Sequence, residues 1–351
     1  MCNNSYQPIF LNAAVLVNNS KPLKFMKLKI PKLKKGQVLV KLIYSGVCGS
    51  QIMEIDGLRG KDKYLPHLLG HEGYGKVVSI GKSVKKVRSG QKVILSWIKS
   101  SGINAEAPVY KSKNRIINAG QITTFSDYSI ISENRLTLAP KNIDPLNAVL
   151  FGCAIPTGAG MIFNQLEINS NSSIALFGVG GIGLFSLIAC KILKAKKIIA
   201  IDINDKKLNL AKKFGATHLI NIKKDNLIKK ILEFNNNEMV DYAVDSAGKV
   251  ETIEMSFSII KNSGTTIFAS HPKFNKKIKI DPFDLIKGKK LFGSWGGNSK
   301  PDIDIKKFYS KFIKNKINFK SFTTDIYEFK NLNLAVNDLR NKKVFRPIIK
   351  F

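Results

Sequence analysis

The stretch Ser172–Asp202, SSIALFGVGGIGLFSLIACKILKAKKIIAID, decides the fold of this 351-residue chain. Ile174–Phe177 is a short apolar run of the length and character of a buried strand. Gly178-Val179-Gly180-Gly181-Ile182-Gly183 follows and fits G-x-G-x-x-G. Leu184–Leu193 reads as a helix, and Lys197–Ile201 as a second strand that ends in Asp202. Each part has a physical task. Gly178 permits a tight turn, Gly180 lets backbone approach a pyrophosphate, and Gly183 lets the helix lie close to the strand. The helix N-terminus then offers free N–H groups and a positive dipole end to phosphate. Asp202 lies 19 residues after Gly183, where a carboxylate accepts hydrogen bonds from both ribose hydroxyls of NAD. A glycine turn alone is weak evidence. Strand, glycines, helix, strand and acid in that order make a dinucleotide-binding unit, with Gly178, Gly180, Gly181, Gly183 and Asp202 as its cofactor residues.

The length predicts two domains, because a single core rarely grows so large. A hydrophobic content of 44% is that of a globular chain, and no apolar run is long enough to span a bilayer. Met1–Ser5 lacks a charged segment leading into an apolar one, so a cytoplasmic protein without a signal peptide is expected. The net charge of +32 raises the question of nucleic acid. Only six of the 57 basic residues are Arg, however, and the Lys are scattered. Readers of phosphate and bases lean on the bidentate Arg fork, and no reader motif is present, so neither nucleic acid nor membrane is an expected partner. Four cysteines, Cys2, Cys48, Cys153 and Cys190, are too few and too dispersed for a secreted disulfide framework. Cys2 reads as a terminal thiol and Cys190 as a small buried hydrophobe on the helix after the glycine turn.

The first 150 residues read as β-rich, with strands at Val38–Tyr44, Lys76–Ile80, Phe125–Ser132 and Arg135–Leu138, and glycines at the spacing of a barrel-like domain. Ser45–Ser50 reads as a loop, and Leu146–Asn164 as helical. From Ser172 to about Ser294 strands alternate with helices, with Asp205–Phe214 closed by Gly215, then Thr217–Ile222, Leu227–Phe234, Asp241–Asp245, Lys249–Ile260 and Gly264–Ala269. That alternation predicts a doubly wound parallel sheet. The remainder, Trp295–Phe351, carries a polar helix and a terminal apolar run that returns to the first domain. The expected division is therefore 1–154 with 295–351 as one domain and 155–294 as the cofactor domain.

Cys48, His71 and Cys153 are ligand types that zinc takes at catalytic sites, three from the protein with a fourth position open. Far apart in sequence, they are better explained, taken alone, as ordinary buried cysteines. Their local contexts go further. Gly70-His71-Glu72-x-x-Gly75, with Gly81 and Val84 downstream, resembles the signature of the zinc-containing alcohol dehydrogenases of the medium-chain dehydrogenase/reductase superfamily. Gly46-Val47-Cys48-Gly49-Ser50 and Gly152-Cys153-Ala154-Ile155-Pro156-Thr157-Gly158-Ala159-Gly160 are similar to that family's other two ligand segments. Ile198–Thr217 is similar to the formaldehyde-dehydrogenase branch. The resemblance runs from about Ala14 to Phe351.

The resemblance implies a GroES-like, barrel-like catalytic domain interrupted by a Rossmann domain. It implies Cys48, His71 and Cys153 as ligands of one zinc, with Glu72 beside the metal as an occasional ligand and Ser50 as the hydroxyl that takes the substrate proton. It further implies Thr157 near the nicotinamide, Lys207 on the adenosine ribose and Arg346 on the pyrophosphate. The implied reaction is hydride transfer between an alcohol, or its aldehyde or ketone, and NAD in a homo-oligomeric enzyme. The alternatives are a polyol or sugar dehydrogenase of the same superfamily, a zinc-free quinone or enone reductase and, from a different class, a non-catalytic basic binding protein. Three departures from the family pattern stand out. Trp97–Phe125 contains no cysteine where many members hold a structural zinc, Gly49 stands where some have Arg or His, and Gln51 and Met53 replace the usual Asp and His. Among the remaining residues, His67 reads as surface or peripheral to the site, His218 and His271 as solvated, and Trp97 and Trp295 as core, with lining of a substrate cleft as the alternative.

Overall fold

The computed structural model describes residues 8–323 and 325–351, so the thiol of Cys2 lies outside the described residues. The chain divides into two compact units, Met1–Cys153 with Lys300–Phe351, and Ala154–Ser299.

The first unit is built on β structure. Phe10–Leu16, Lys24–Lys29, Val109–Ser112, Arg115–Asn118 and His67–Leu68 close into a small barrel. A second sheet runs in the order Leu136–Leu138, Lys92–Ser96, Glu72–Ile80, Gln37–Gly46, Ile348–Lys350 and Ile326–Glu328, with Tyr128–Ser132 also paired to Gln37–Gly46. The long strand Gln37–Gly46 explains why both layers hold. Successive side chains point to opposite faces, so Leu39 joins Leu11, Leu28, Tyr110 and Ile117 in the barrel core. Val38, Val40 and Leu42 join Val77, Val93 and Leu95 on the other face. Each such fully buried side chain contributes ~1.5–3 kcal/mol.

The second unit is a six-stranded parallel sheet, ordered His218–Asn221, Lys197–Asp202, Ser173–Phe177, Val240–Asp245, Ile260–Phe268 and Lys290–Gly293. This is the doubly wound order that reverses beside the first strand. Ser173–Phe177 is buried throughout, as a central parallel strand covered on both faces must be. The helix Asp205–Phe214 is begun by Asn204, whose side chain accepts from the Lys206 and Lys207 N–H groups, and ended by Gly215 at φ +116°.

The structure departs from the sequence reading at several points. Gly49–Ile55 is a helix that takes in the last two residues of the stretch read as loop, Gly49 and Ser50, and at seven residues it is too short to show apolar periodicity. Leu146–Asn164 is two helices, Pro145–Leu150 and Ala154–Gln165, parted by a turn at Phe151–Cys153. Trp295 is 80% exposed, not core. His218 is half-buried rather than solvated, because its ring packs on Phe234 with centroids 4.5 Å apart. No helix among the described residues is long and apolar enough to cross a membrane.

Asp245 ends the strand Val240–Asp245 and is fully buried. It accepts the Gly248 N–H at 3.0 Å on Oδ2, while Oδ1 has no hydrogen-bond partner. Burial pushes its carboxyl up from 3.8 to about 6. The folded chain therefore holds this proton more tightly than the unfolded chain. The stability it contributes is complete below pH 3.8 and is lost as pH rises through 6, amounting to roughly 3 kcal/mol over the window. Asp245→Asn should remove that dependence. Thermal melts from pH 5 to 7.5 should show the variant gaining on the wild type as pH rises, and parallel curves would contradict the assignment.

Candidate functional site

The first unit brings three remote segments together by strand register. In the antiparallel pairing of Gln37–Gly46 with Glu72–Ile80, Ser45 lies opposite Gly73, so the chain leaving Gly46 toward Cys48 runs beside the chain entering at His71 and Glu72. The C-terminal strand pairs on the other side of the same segment, Ile348 with Gly46 and Ile349 with Ser45. The Val47 N–H donates to the Pro347 carbonyl at 2.9 Å. Arg346, nearly 300 residues downstream of Cys48, is thereby delivered to the same spot. The third segment is the turn after Pro145–Leu150, where the Ser96 hydroxyl donates to the Gly152 carbonyl at 2.7 Å and fixes the position of Cys153.

The result is one cluster. Cys48, His71 and Cys153 each offer a ligand atom, and these atoms all lie within 4.8 Å of one another. No second such group occurs among the described residues. His71 Nε2 is buried without a hydrogen-bond partner. Two sulfurs and one imidazole nitrogen, with the nitrogen unused by the protein, fit zinc with an open fourth position. The electrostatics agree. The hydrogen bond from Cys153, opposed by burial and aided by Arg346 and His71, holds Cys48 well below the ordinary thiol range. The same bond, with burial, holds Cys153 well above it. The two sulfurs are thus coupled to one another, and a metal ion held between them would take both as thiolates.

Glu72 is fully buried beside the cluster. One of its oxygens pairs with the Arg346 guanidinium, and the other has no partner. Burial pushes the Glu72 carboxyl up against the pull of Arg346 and His71. Burial works against the Arg346 charge as well, but Glu72, Cys48 and Cys153 outweigh it and hold the guanidinium proton more tightly than usual. A Cβ on Gly46 would run into the Glu72 carboxylate, which is why the strand Gln37–Gly46 ends in glycine.

Gln51 also belongs to the site. It is 1% exposed, its Oε1 accepts the Cys48 N–H at 2.6 Å, and its Nε2 lies 2.7 Å from His71 Nδ1. Sequence reading noted Gln51 as a departure from pattern and missed this double contact. The signal was present in the spacing Cys48-x-x-Gln51, in which the third helical residue reaches back to the N-cap N–H. Ser50 is half-buried, with its hydroxyl 3.4 Å from His71 Nδ1. His67 is buried outside the cluster, its ring nitrogens bonded to the Leu68 carbonyl and to Asp62.

The second unit holds Thr157, the glycine turn, Asp202 and Lys207. Gly178 sits at φ +79°, and a Cβ on Gly183 would overlap the Gly178 carbonyl oxygen, so turn and helix can close only on glycine. Beside Gly180, by contrast, a Cβ would meet nothing within 4 Å. That helix, Gly181–Ile192, has no side chain capping its N-terminus, which leaves donors for an anion. Asp202 is pinned by the backbone: Oδ2 accepts from Val179 at 3.0 Å, and Oδ1 from Ile203 at 2.8 Å and Asn204 at 3.0 Å. Thr157 is 3% exposed, and its hydroxyl has no hydrogen-bond partner. Lys207 lies in the first turn of the helix Asp205–Phe214.

Residues 34–141 match the family described as alcohol dehydrogenase GroES-like domain, and residues 181–314 the family described as zinc-binding dehydrogenase. Among curated proteins, the chain is similar to S-(hydroxymethyl)glutathione dehydrogenases from Synechocystis and Escherichia coli. Each is 28% identical, with 97% of this chain and 99% of the relative covered. Among solved structures, it is similar to benzyl alcohol dehydrogenase from Acinetobacter calcoaceticus, with a TM-score of 0.88 and 28% identity. An alcohol dehydrogenase zinc-binding domain protein from Burkholderia ambifaria matches with a TM-score of 0.89 and 26% identity. In both cases 97% of this chain and 99% of the other are covered.

The Arg346–Glu72 pair gives a direct test of the cluster's electrostatics. Arg346→Met would leave a carboxylate and a thiolate buried without their countercharge, which costs ~3–5 kcal/mol. Adding Glu72→Gln should recover much of that loss. Urea unfolding of the single and double variants measures both, and a single variant as stable as the wild type would contradict the pairing.

Proposed function

Starting from a chain that belongs to the zinc-containing alcohol dehydrogenases of the medium-chain dehydrogenase/reductase superfamily, we propose that it oxidises an alcohol, or reduces the matching aldehyde or ketone, with NAD as hydride partner. The observation that carries this reading is the convergence of Cys48, His71 and Cys153 within 4.8 Å, with His71 Nε2 unpartnered. These three would hold one catalytic zinc. Zinc there supplies Lewis-acid polarisation of the substrate oxygen, bringing its proton loss toward neutral pH. NAD supplies the hydride acceptor, and the protein supplies orientation and electrostatics.

The chain's own residues divide the remaining tasks. Ser50 accepts the substrate proton on its hydroxyl. Met53 carries no group to pass it on, so solvent completes the path. Glu72 keeps one oxygen unpaired next to the ligand set, where it would be available as an additional ligand to the zinc, with Arg346 holding its other oxygen. Arg346 is also assigned to the cofactor pyrophosphate, Lys207 to the adenosine ribose and Thr157 to the nicotinamide. The uncapped helix at Gly181 and the open space at Gly180 support pyrophosphate binding on the turn Gly178–Gly183. A cytoplasmic location follows from the need to keep Cys48 and Cys153 reduced. A homo-oligomer is part of the same reading. Lys290–Gly293 is an edge strand flanked by Phe283, Ile286 and Trp295, all more than half exposed, and light scattering of the purified chain decides the point.

Metal analysis should give about one zinc per chain. Cys153→Ala should lose the zinc and the alcohol-dependent formation of NADH while keeping NADH binding by fluorescence titration. Two tightly held zincs, or full activity in the variant, would sink the assignment.

The cofactor preference follows from Asp202. Its carboxylate, pinned by three backbone N–H groups, faces the extra phosphate of NADP as a like charge. NAD should be preferred in kcat/KM by on the order of tenfold or more, about 1.4 kcal/mol. Asp202→Ser should erode that ratio, chiefly by weakening NAD. A clear NADP preference in the wild type would overturn the role given to Asp202.

A further inference from the structure

Gln51 is buried between two groups of the metal cluster, and its amide has two different ends. The Cys48 backbone N–H is a donor and can be satisfied by an acceptor alone, so the 2.6 Å contact fixes the Gln51 oxygen on that side. This is the return arm of a capping box, in which the Cys48 side chain receives the Gln51 backbone N–H and the Gln51 side chain receives the Cys48 N–H. The amide NH₂ is then necessarily the end that lies 2.7 Å from His71 Nδ1. A donor at that distance requires a lone pair on Nδ1, so the neutral ring carries its proton on Nε2. Nε2 is the buried, unpartnered atom among the metal-ligating groups. A metal on Nε2 needs the opposite tautomer, with the proton on Nδ1, where it would point at the Gln51 N–H. The other polar group facing Nδ1 is the Ser50 hydroxyl, at 3.4 Å.

We propose that Gln51 is a positioning residue that holds His71 in the tautomer closed to metal. Zinc loading then requires the Gln51 amide to turn over and give up its bond to the Cys48 N–H. The inference rests on the zinc-site reading above and adds a brake on it that is specific to this chain. A carboxylate at the same place would have no such conflict, since one oxygen accepts the Cys48 N–H and the other accepts His71 Nδ1–H. Gln51→Glu is therefore the informative variant. Groups hydrogen-bonded to the far nitrogen of a metal-bound imidazole change metal affinity by ~10–100-fold, which sets the scale expected here.

The test uses the full-length chain stripped of metal, with zinc ions titrated against a chromophoric chelator, and with ¹⁵N-histidine spectra of the metal-free protein to read the ring tautomer. In the wild type, the His71 proton should reside on Nε2. In Gln51→Glu it should move to Nδ1, and zinc should bind at least tenfold more tightly. The tautomer separates this mechanism from the added negative charge, because tighter zinc binding with an unmoved tautomer is a charge effect and overturns the proposal. A metal-free wild type with its proton on Nδ1 overturns it as well, as does a folded Gln51→Glu that binds zinc no better. Should Gln51→Glu fail to fold, the wild-type spectrum decides. A wild type that takes up no zinc refutes the zinc-site reading instead, and its tautomer still tests Gln51.

Discussion

The Glu72 carboxylate and a Cys48 thiol held toward its thiolate form, buried within one cluster, need a positive charge nearby, and Arg346 supplies it. The Arg346–Glu72 contact lies fully inside the protein, where an unpaired charge is costly. Much of the first unit's construction follows from satisfying it. The C-terminal strand must pair with Gln37–Gly46 to bring Arg346 in, and Gly46 must lack a side chain to leave room for Glu72. The Pro347 carbonyl ties the arriving chain to Val47, one residue before the first ligand. The cluster is thus positioned by strand register and hydrogen bonds rather than by a local motif.

The second unit solves a different problem, the approach of a polyanion to backbone. Its glycine turn closes tightly on itself, because Gly183 packs on the Gly178 carbonyl, and it stays open at Gly180. Asp202 takes three backbone N–H groups, from Val179, Ile203 and Asn204, so the acid at the strand end and the glycine turn form one rigid piece. A carboxylate held in that way cannot swing aside for a larger cofactor, which links the cofactor preference to local backbone geometry.

Much of this was legible in the sequence because the relevant signals are short-range. The glycine turn, its flanking strands and Asp202 lie within 31 consecutive residues, Ser172–Asp202, and their order carries the physics. The candidate metal ligands Cys48, His71 and Cys153 were named from their local contexts. Their meeting in space depends on the pairing of Ser45 with Gly73 and with Ile349, which no short window reveals. The same holds for Arg346 and Glu72. Sequence reading placed one on the cofactor and the other beside the metal, and the structure pairs them. The helix Gly49–Ile55 was missed because it is only about two turns long, too short to show an apolar period. With it went the role of Gln51, which looks like an isolated substitution until the cap is seen. Trp295, read as core because a lone Trp is most often buried, lies just past the edge strand Lys290–Gly293 and is exposed.

The central claim is that one zinc sits on two sulfurs and one nitrogen with a fourth position open to substrate. X-ray absorption at the zinc edge of the purified, zinc-loaded chain tests it most directly. Two sulfur neighbours at ~2.3 Å and nitrogen or oxygen neighbours at ~2.0–2.1 Å are expected, one of them exchangeable with added alcohol. A shell of four sulfurs, or one of nitrogen and oxygen alone, would contradict it.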